Sequence, residues 1–178
     1  MQRRTLLSLM ASSVALGLSA CGFALRKAPS FAFSTLYSGL VEASPLGVEL
    51  KRSLESTRKI EVITDSRQIT RAQVILDVLT NQREKVVLSL NTSGQVGEFQ
   101  LRVRFRFRLR TPTGKELIGD TEIVQQRDMS FNESVALAKE AEEGLLYRDM
   151  QTDIVQQIMR RQAAHDLLDN IGLHVAVE

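Results

Sequence analysis

The stretch Phe99-Gln100-Leu101-Arg102-Val103-Arg104-Phe105-Arg106-Phe107-Arg108-Leu109-Arg110 alternates apolar and polar residues without a break. Successive side chains of an extended chain point to opposite faces, so this run predicts a strand. Phe99, Leu101, Val103, Phe105, Phe107 and Leu109 fall on one face, and Gln100 and the five arginines fall on the other. A helix would mix the two sets. The apolar face therefore belongs against a core, while the arginine face meets water or a polar partner.

Downstream, Thr111-Pro112-Thr113-Gly114-Lys115 is a turn by composition, and it leads into a second strand from Leu117 to Arg127. With Thr111 opposite Leu117, Asp120 faces Arg108 and Glu122 faces Arg106, which relieves repulsion within the row. Two readings of that row stand: a solvated, self-neutralised sheet face, or a polar interface with another protein. Upstream, Ala72 to Thr80 places Val74, Leu76 and Val78 on one face and continues through Asn81 and Gln82 toward Val86, Leu88 and Leu90. Shorter β-rich runs are Ile60 to Thr64 and the segment holding Phe31, Phe33, Thr35 and Tyr37.

Two helices complete the pattern. Ser44-Pro45 suits an N-cap followed by the first helical residue, and Leu46, Leu50 and Leu54 repeat at helical spacing. Ser130-Phe131-Asn132-Glu133 matches a capping box, which predicts a long helix from there to about Arg161. Val135, Ala138, Ala141, Leu145, Ile154 and Ile158 are its expected apolar face, with Gly144 packed closely against the sheet. Residues 162–178 read as a weakly ordered tail.

The first twenty residues read as a targeting segment. Arg3 and Arg4 precede an apolar stretch too short to span a bilayer, and Leu18-Ser19-Ala20 precedes Cys21. This arrangement is similar to a bacterial lipobox, in which Cys21 is acylated and becomes the mature N-terminus. Several acyl chains hold a protein durably where one does not. A lone cysteine forms no internal disulfide, and lipidation gives it a use. Gly22 in the next position fits outer-membrane sorting. The Arg3-Arg4 pair leaves the general and twin-arginine export routes both open. Domain organisation is therefore a signal at 1–20, one domain at 21–161 and the tail.

Removing Arg3 and Arg4 from the 23 basic residues leaves 21, against 21 acidic. With the charges balanced, bulk attraction to nucleic acid or anionic lipid drives nothing here. A nucleic-acid-binding sheet also needs aromatics and cations on one exposed face, whereas strict alternation separates them. His165 and His174 lack clustered ligands, and no phosphate loop or nucleophile elbow occurs. The expectation is a protein that is not an enzyme and has neither metal nor cofactor.

Four segments carry a resemblance: Cys21-Gly22-Phe23-Ala24-Leu25-Arg26, Gly94-Gln95-Val96-Gly97-Glu98-Phe99, Ala136-Leu137-Ala138-Lys139-Glu140-Ala141-Glu142-Glu143, and Tyr147-Arg148-Asp149-Met150. In this order and spacing the chain, up to about Arg161, resembles the lipopolysaccharide-assembly lipoproteins (LptE, formerly RlpB). The resemblance implies an α+β fold, a four-stranded, mostly antiparallel sheet packed against two helices, the C-terminal one long. It implies a protein at the periplasmic face of the outer membrane, anchored through its N-terminal lipid. Its implied partner is a large outer-membrane barrel, LPS-assembly protein D, plugged in a 1:1 complex, with lipopolysaccharide as ligand.

On that resemblance Arg102, Arg104, Arg106 and Arg108 become candidates for the barrel interface. Lys139 becomes a candidate for binding lipopolysaccharide. The hairpin tip offers Asn91, Thr92 and Ser93 instead of a basic residue, so Arg83 or Lys85 would supply that contact. The alternative is a scaffold lipoprotein facing the periplasm that binds no lipopolysaccharide.

Overall fold

The computed structural model describes residues 31–170, with side chains to residue 163. Cys21, the lipobox and signal, the Cys21–Arg26 motif and His174 lie outside the described residues, as does the side chain of His165. Among the described residues five strands and two helices follow in order: β1 (Thr35–Ser38), α1 (Pro45–Glu55), β2 (Glu61–Ile63), β3 (Val74–Leu90), β4 (Val96–Arg110), β5 (Glu116–Ser130) and α2 (Ala136–Asn170). Short 3-10 turns at Ser66–Arg71 and Glu133–Val135 precede β3 and α2.

The sheet has the order β2-β1-β3-β4-β5. Strand β1 runs parallel to β2 and β3, and β3, β4 and β5 form an antiparallel meander. The expected four-stranded sheet is thus five-stranded and mixed. The additional strand is the run after Ile60, which pairs Val62 with Leu36 of β1. Three residues suffice because Val62 and Ile63 are buried on opposite faces, each in its own apolar cluster.

Both helices lie on one face. Leu46, Leu50 and Leu54 of α1 share a core with Leu36, Leu76, Leu101, Phe105, Phe107 and Ile123 of the sheet, and with Met150, Ile154 and Ile158 of α2. Ser44 caps α1 as expected, its side chain accepting from the Gly47 amide at 3.1 Å. Gly47 has a reason of its own: a Cβ there would stand 2.5 Å from the carbonyl oxygen of Val41. Phe31 and Phe33 precede β1 and pack at the core's edge, and Leu36 is the residue of the strand buried in that core.

The start and the face of α2 differ from expectation. Ser130 ends β5, and the cap is Asn132, whose side chain accepts from the Ser134 amide, so no capping box forms. The buried stripe is Tyr147, Met150, Ile154, Val155 and Ile158, while Val135, Ala141 and Leu145 are exposed. At about 100° per residue Leu145 lies half a turn around the helix from Ile154, so the two cannot share a face. Gly144 is exposed as well, and a Cβ at that position meets nothing within 4 Å. It is not a close-packing residue. The helix also continues to Asn170, past the expected end near Arg161. Ala163, Ala164, Leu167 and Leu168 are good helix formers, and no glycine or proline intervenes.

Candidate functional site

The arginine row lies on the sheet face opposite the helices, because its neighbours Leu101, Val103, Phe105, Phe107 and Leu109 are all buried. Strands β3 and β5 flank β4 and supply acids on both sides. Arg102 lies 3.6 Å from Glu84, Arg104 lies 3.5 Å from Glu122, and Arg106 lies 3.3 Å from Asp120. Asp77 takes two guanidiniums, Arg108 at 3.0 Å and Arg110 at 2.7 Å. The hydrogen bond from Arg110 is the main cause that holds the Asp77 carboxyl below the usual carboxylate value; burial opposes it, and the bond from Arg108 and the two guanidinium charges add to the lowering. The same contact raises the Arg110 guanidinium.

Between β4 and β5 backbone register and ion pairing do not coincide. Glu122 does sit opposite Arg106, as expected. A shift between Phe107 and Leu109 then brings Ile118 opposite Leu109, and the turn closes through the Thr111 amide on the Lys115 carbonyl at 2.8 Å. The ion pairs run diagonally, in the regular part of the ladder as well: Asp120 meets Arg106 rather than Arg108, and Glu122 meets Arg104 rather than Arg106. Arg104 Nε lies out of hydrogen-bond geometry toward Glu122 despite its proximity, and that pair and Arg102–Glu84 are the two loosest of the row. Sequence reasoning missed Asp77 and Glu84. Their signal was present, since both are acids within a strand adjacent to the arginines.

Such a face is a ladder of opposite charges that neutralises itself almost completely. It keeps hydrogen-bonding capacity, because each guanidinium has five donors and one acid occupies only some of them. The geometry suits contact with a polar wall better than capture of one compact anion. Exposed pairs of this kind each contribute little to stability, about 0–1 kcal/mol.

The three basic residues proposed for ligand contact are not equally free. Lys139 is 18% exposed, 2.8 Å from Glu142, and donates to Ser130 Oγ at 3.0 Å. Lys85 lies 2.6 Å from Glu143 and 4.3 Å from the centre of the Phe99 ring, which packs edge-on against Phe131. Arg83 sits over the ring of Tyr147 at 5.0 Å, is exposed, and has no carboxylate partner among the described residues. Arg83 and Lys85 thus come together along the distal half of β3, both against α2. Lys139 is held apart by its own bonds.

Among the described residues no three His, Cys, Asp or Glu side chains converge as metal ligands, and no helix is long and apolar enough to cross a membrane.

Comparison with known proteins adds to this geometry. Residues 33–161 match the family model described as LptE, lipopolysaccharide-assembly. The fold is similar to the solution NMR structure of an uncharacterized lipoprotein B from Nitrosomonas europaea, with 36% identity, 80% of this chain and 91% of that chain covered, and a TM-score of 0.65. It also resembles crystal structures of rare lipoprotein B from Shewanella oneidensis (23% identity, TM-score 0.60) and a minor lipoprotein from Acinetobacter baumannii (18% identity, TM-score 0.59). These cover 75% and 76% of this chain and 95% and 94% of their own. At such identities the last two speak for the fold alone. No curated protein matches the sequence.

Proposed function

The chain belongs to the LptE family of lipopolysaccharide-assembly proteins, and from that premise we propose that it is the lipid-anchored plug of an outer-membrane barrel, LPS-assembly protein D. In this reading it helps the barrel to assemble and binds lipopolysaccharide on its way to the outer leaflet. The family match carries the proposal. The self-paired charge ladder supports it, because barrel lumens are polar and a plug needs a hydrogen-bonding exterior. Arg102, Arg104, Arg106 and Arg108 are the residues proposed to face the wall.

Of the candidates for lipopolysaccharide phosphate, Arg83 is the best placed. Its planar fork suits phosphate, and it need not leave a carboxylate first. Lys85 and Lys139 would have to surrender Glu143 and Glu142. Cys21 is proposed as the acylated residue that holds the chain at the periplasmic face of the membrane.

Detergent extraction of the tagged chain, followed by native mass measurement, tests the reading. A 1:1 complex with the barrel is the expected product. A chain recovered only as a free monomer would favour the scaffold alternative instead.

A further inference from the structure

Strand β1 covers β3 only from Val74 to Leu76, with one further bond from the Gly39 amide to the Leu76 carbonyl. Beyond that point β3 has β4 on one side and, among the described residues, no strand on the other. Helix α2 reaches this strand at Glu84, whose main-chain carbonyl accepts from the Tyr147 hydroxyl at 3.0 Å. Past Glu84 the strand runs on through Val86, Val87, Leu88, Ser89 and Leu90. The four apolar residues of this run are all exposed, from 48% at Val86 to 62% at Leu90.

Open strand edges are templates for pairing, and proteins commonly guard them with charges. The sheet's other long edge, β5, is guarded in that way by Glu116, Asp120, Glu122 and Asp128. From Val86 through Gly97 there is no charged residue at all, in a chain that is 25% charged. The unguarded edge is therefore also the apolar one, and side chains on both faces of the strand share that character.

We propose that the β3 edge from Val86 to Leu90 receives an extended, uncharged, apolar-rich peptide segment by strand addition. A row of main-chain amides and carbonyls at strand spacing is complementary to another extended backbone, and flanking side chains add apolar contact. This rests on the plug reading above, which makes the barrel the donor of the segment. Wall strands of a closed barrel are already paired on both sides, so the donor segment is a loop or a terminal extension of the barrel protein.

The test uses the full-length, lipidated chain co-expressed with its own LPS-assembly barrel. The double variant Val86→Lys, Leu88→Lys places charges on the edge, and Val48→Lys adds one to an exposed position of α1, away from the edge and the arginine row, as a control. Recovery of barrel with the double variant falls by about tenfold or more, recovery with the control matches wild type, and both variants melt in urea near the wild-type midpoint. In wild type, hydrogen exchange at the Val86–Leu90 amides slows on complex formation. Undiminished capture by a folded double variant, or unchanged exchange at those amides, overturns strand addition while leaving the plug reading standing. A wild-type chain that captures no barrel overturns both. A free chain that dimerises, with the dimer lost in the double variant, assigns the edge to a second copy and overturns the proposal.

Discussion

The hydroxyl of Tyr147 donates to the main-chain carbonyl of Glu84 at 3.0 Å, joining the first half of α2 to the middle of β3. Burial, and then the neighbouring Glu143 carboxylate, raise the phenol above its ordinary value, so it stays protonated and able to donate. Tyr147→Phe keeps the ring beneath Arg83 and removes only this bond. Stability in urea should fall by about 0.5–1.5 kcal/mol. A variant as stable as wild type would mean that the bond contributes nothing net.

The two faces of β4 should respond very differently to truncation. Phe105 is fully buried, and Phe105→Ala should cost about 3–5 kcal/mol. Arg106 is half exposed and, among the described residues, paired with Asp120 alone, so Arg106→Ala should cost about 1 kcal/mol or less. Urea melts of the two variants side by side check the assignment. Equal losses would overturn it.

Gly144 offers the opposite sign. A methyl group there enters open space, and alanine is favoured over glycine within a helix by about 1 kcal/mol. Gly144→Ala should therefore raise the stability of the free domain by up to about that amount. A destabilised variant would show that something packs against this position.

Acid should remove the contribution of Asp77 to the charge ladder. Its folded-state value is depressed by the hydrogen bonds from Arg110 and Arg108. Such a carboxylate contributes stability that is fully present above its unfolded value of about 3.9. That contribution is lost as pH falls through the lower folded value. Urea midpoints of wild type should therefore drop more steeply below about pH 4 than those of Asp77→Asn. Parallel curves would show that the pair adds no pH-dependent stability.

What the sequence revealed follows physical lines. The alternation in β4 and the Ser44-Pro45 start of α1 depend on local rules, and the structure matches them. Register was legible only where the ladder is regular. Glu122 opposite Arg106 follows from strict pairing, but the shift near the turn and the diagonal step that takes Asp120 to Arg106 and Glu122 to Arg104 leave no mark in the residue pattern. Helix α2 was legible as a helix and misread in its face, because Ala141 and Leu145 suggest a stripe that the 3.6-residue period does not join to Ile154. Strand β2 is only three residues long, and it forms because β1 offers an edge to it. The proposed ligand contacts were the least legible part. Whether Lys85 and Lys139 are free depends on Glu143 and Glu142, which a linear reading cannot choose between as partners.

The most direct measurement concerns lipopolysaccharide itself. Depleting the chain in its own cells, and labelling lipopolysaccharide from outside on intact cells, reports how much reaches the surface. Newly made lipopolysaccharide should become inaccessible to the label as the chain is depleted and reappear when the wild-type protein is restored. Surface labelling that continues unchanged through depletion would contradict a role for this chain in lipopolysaccharide assembly.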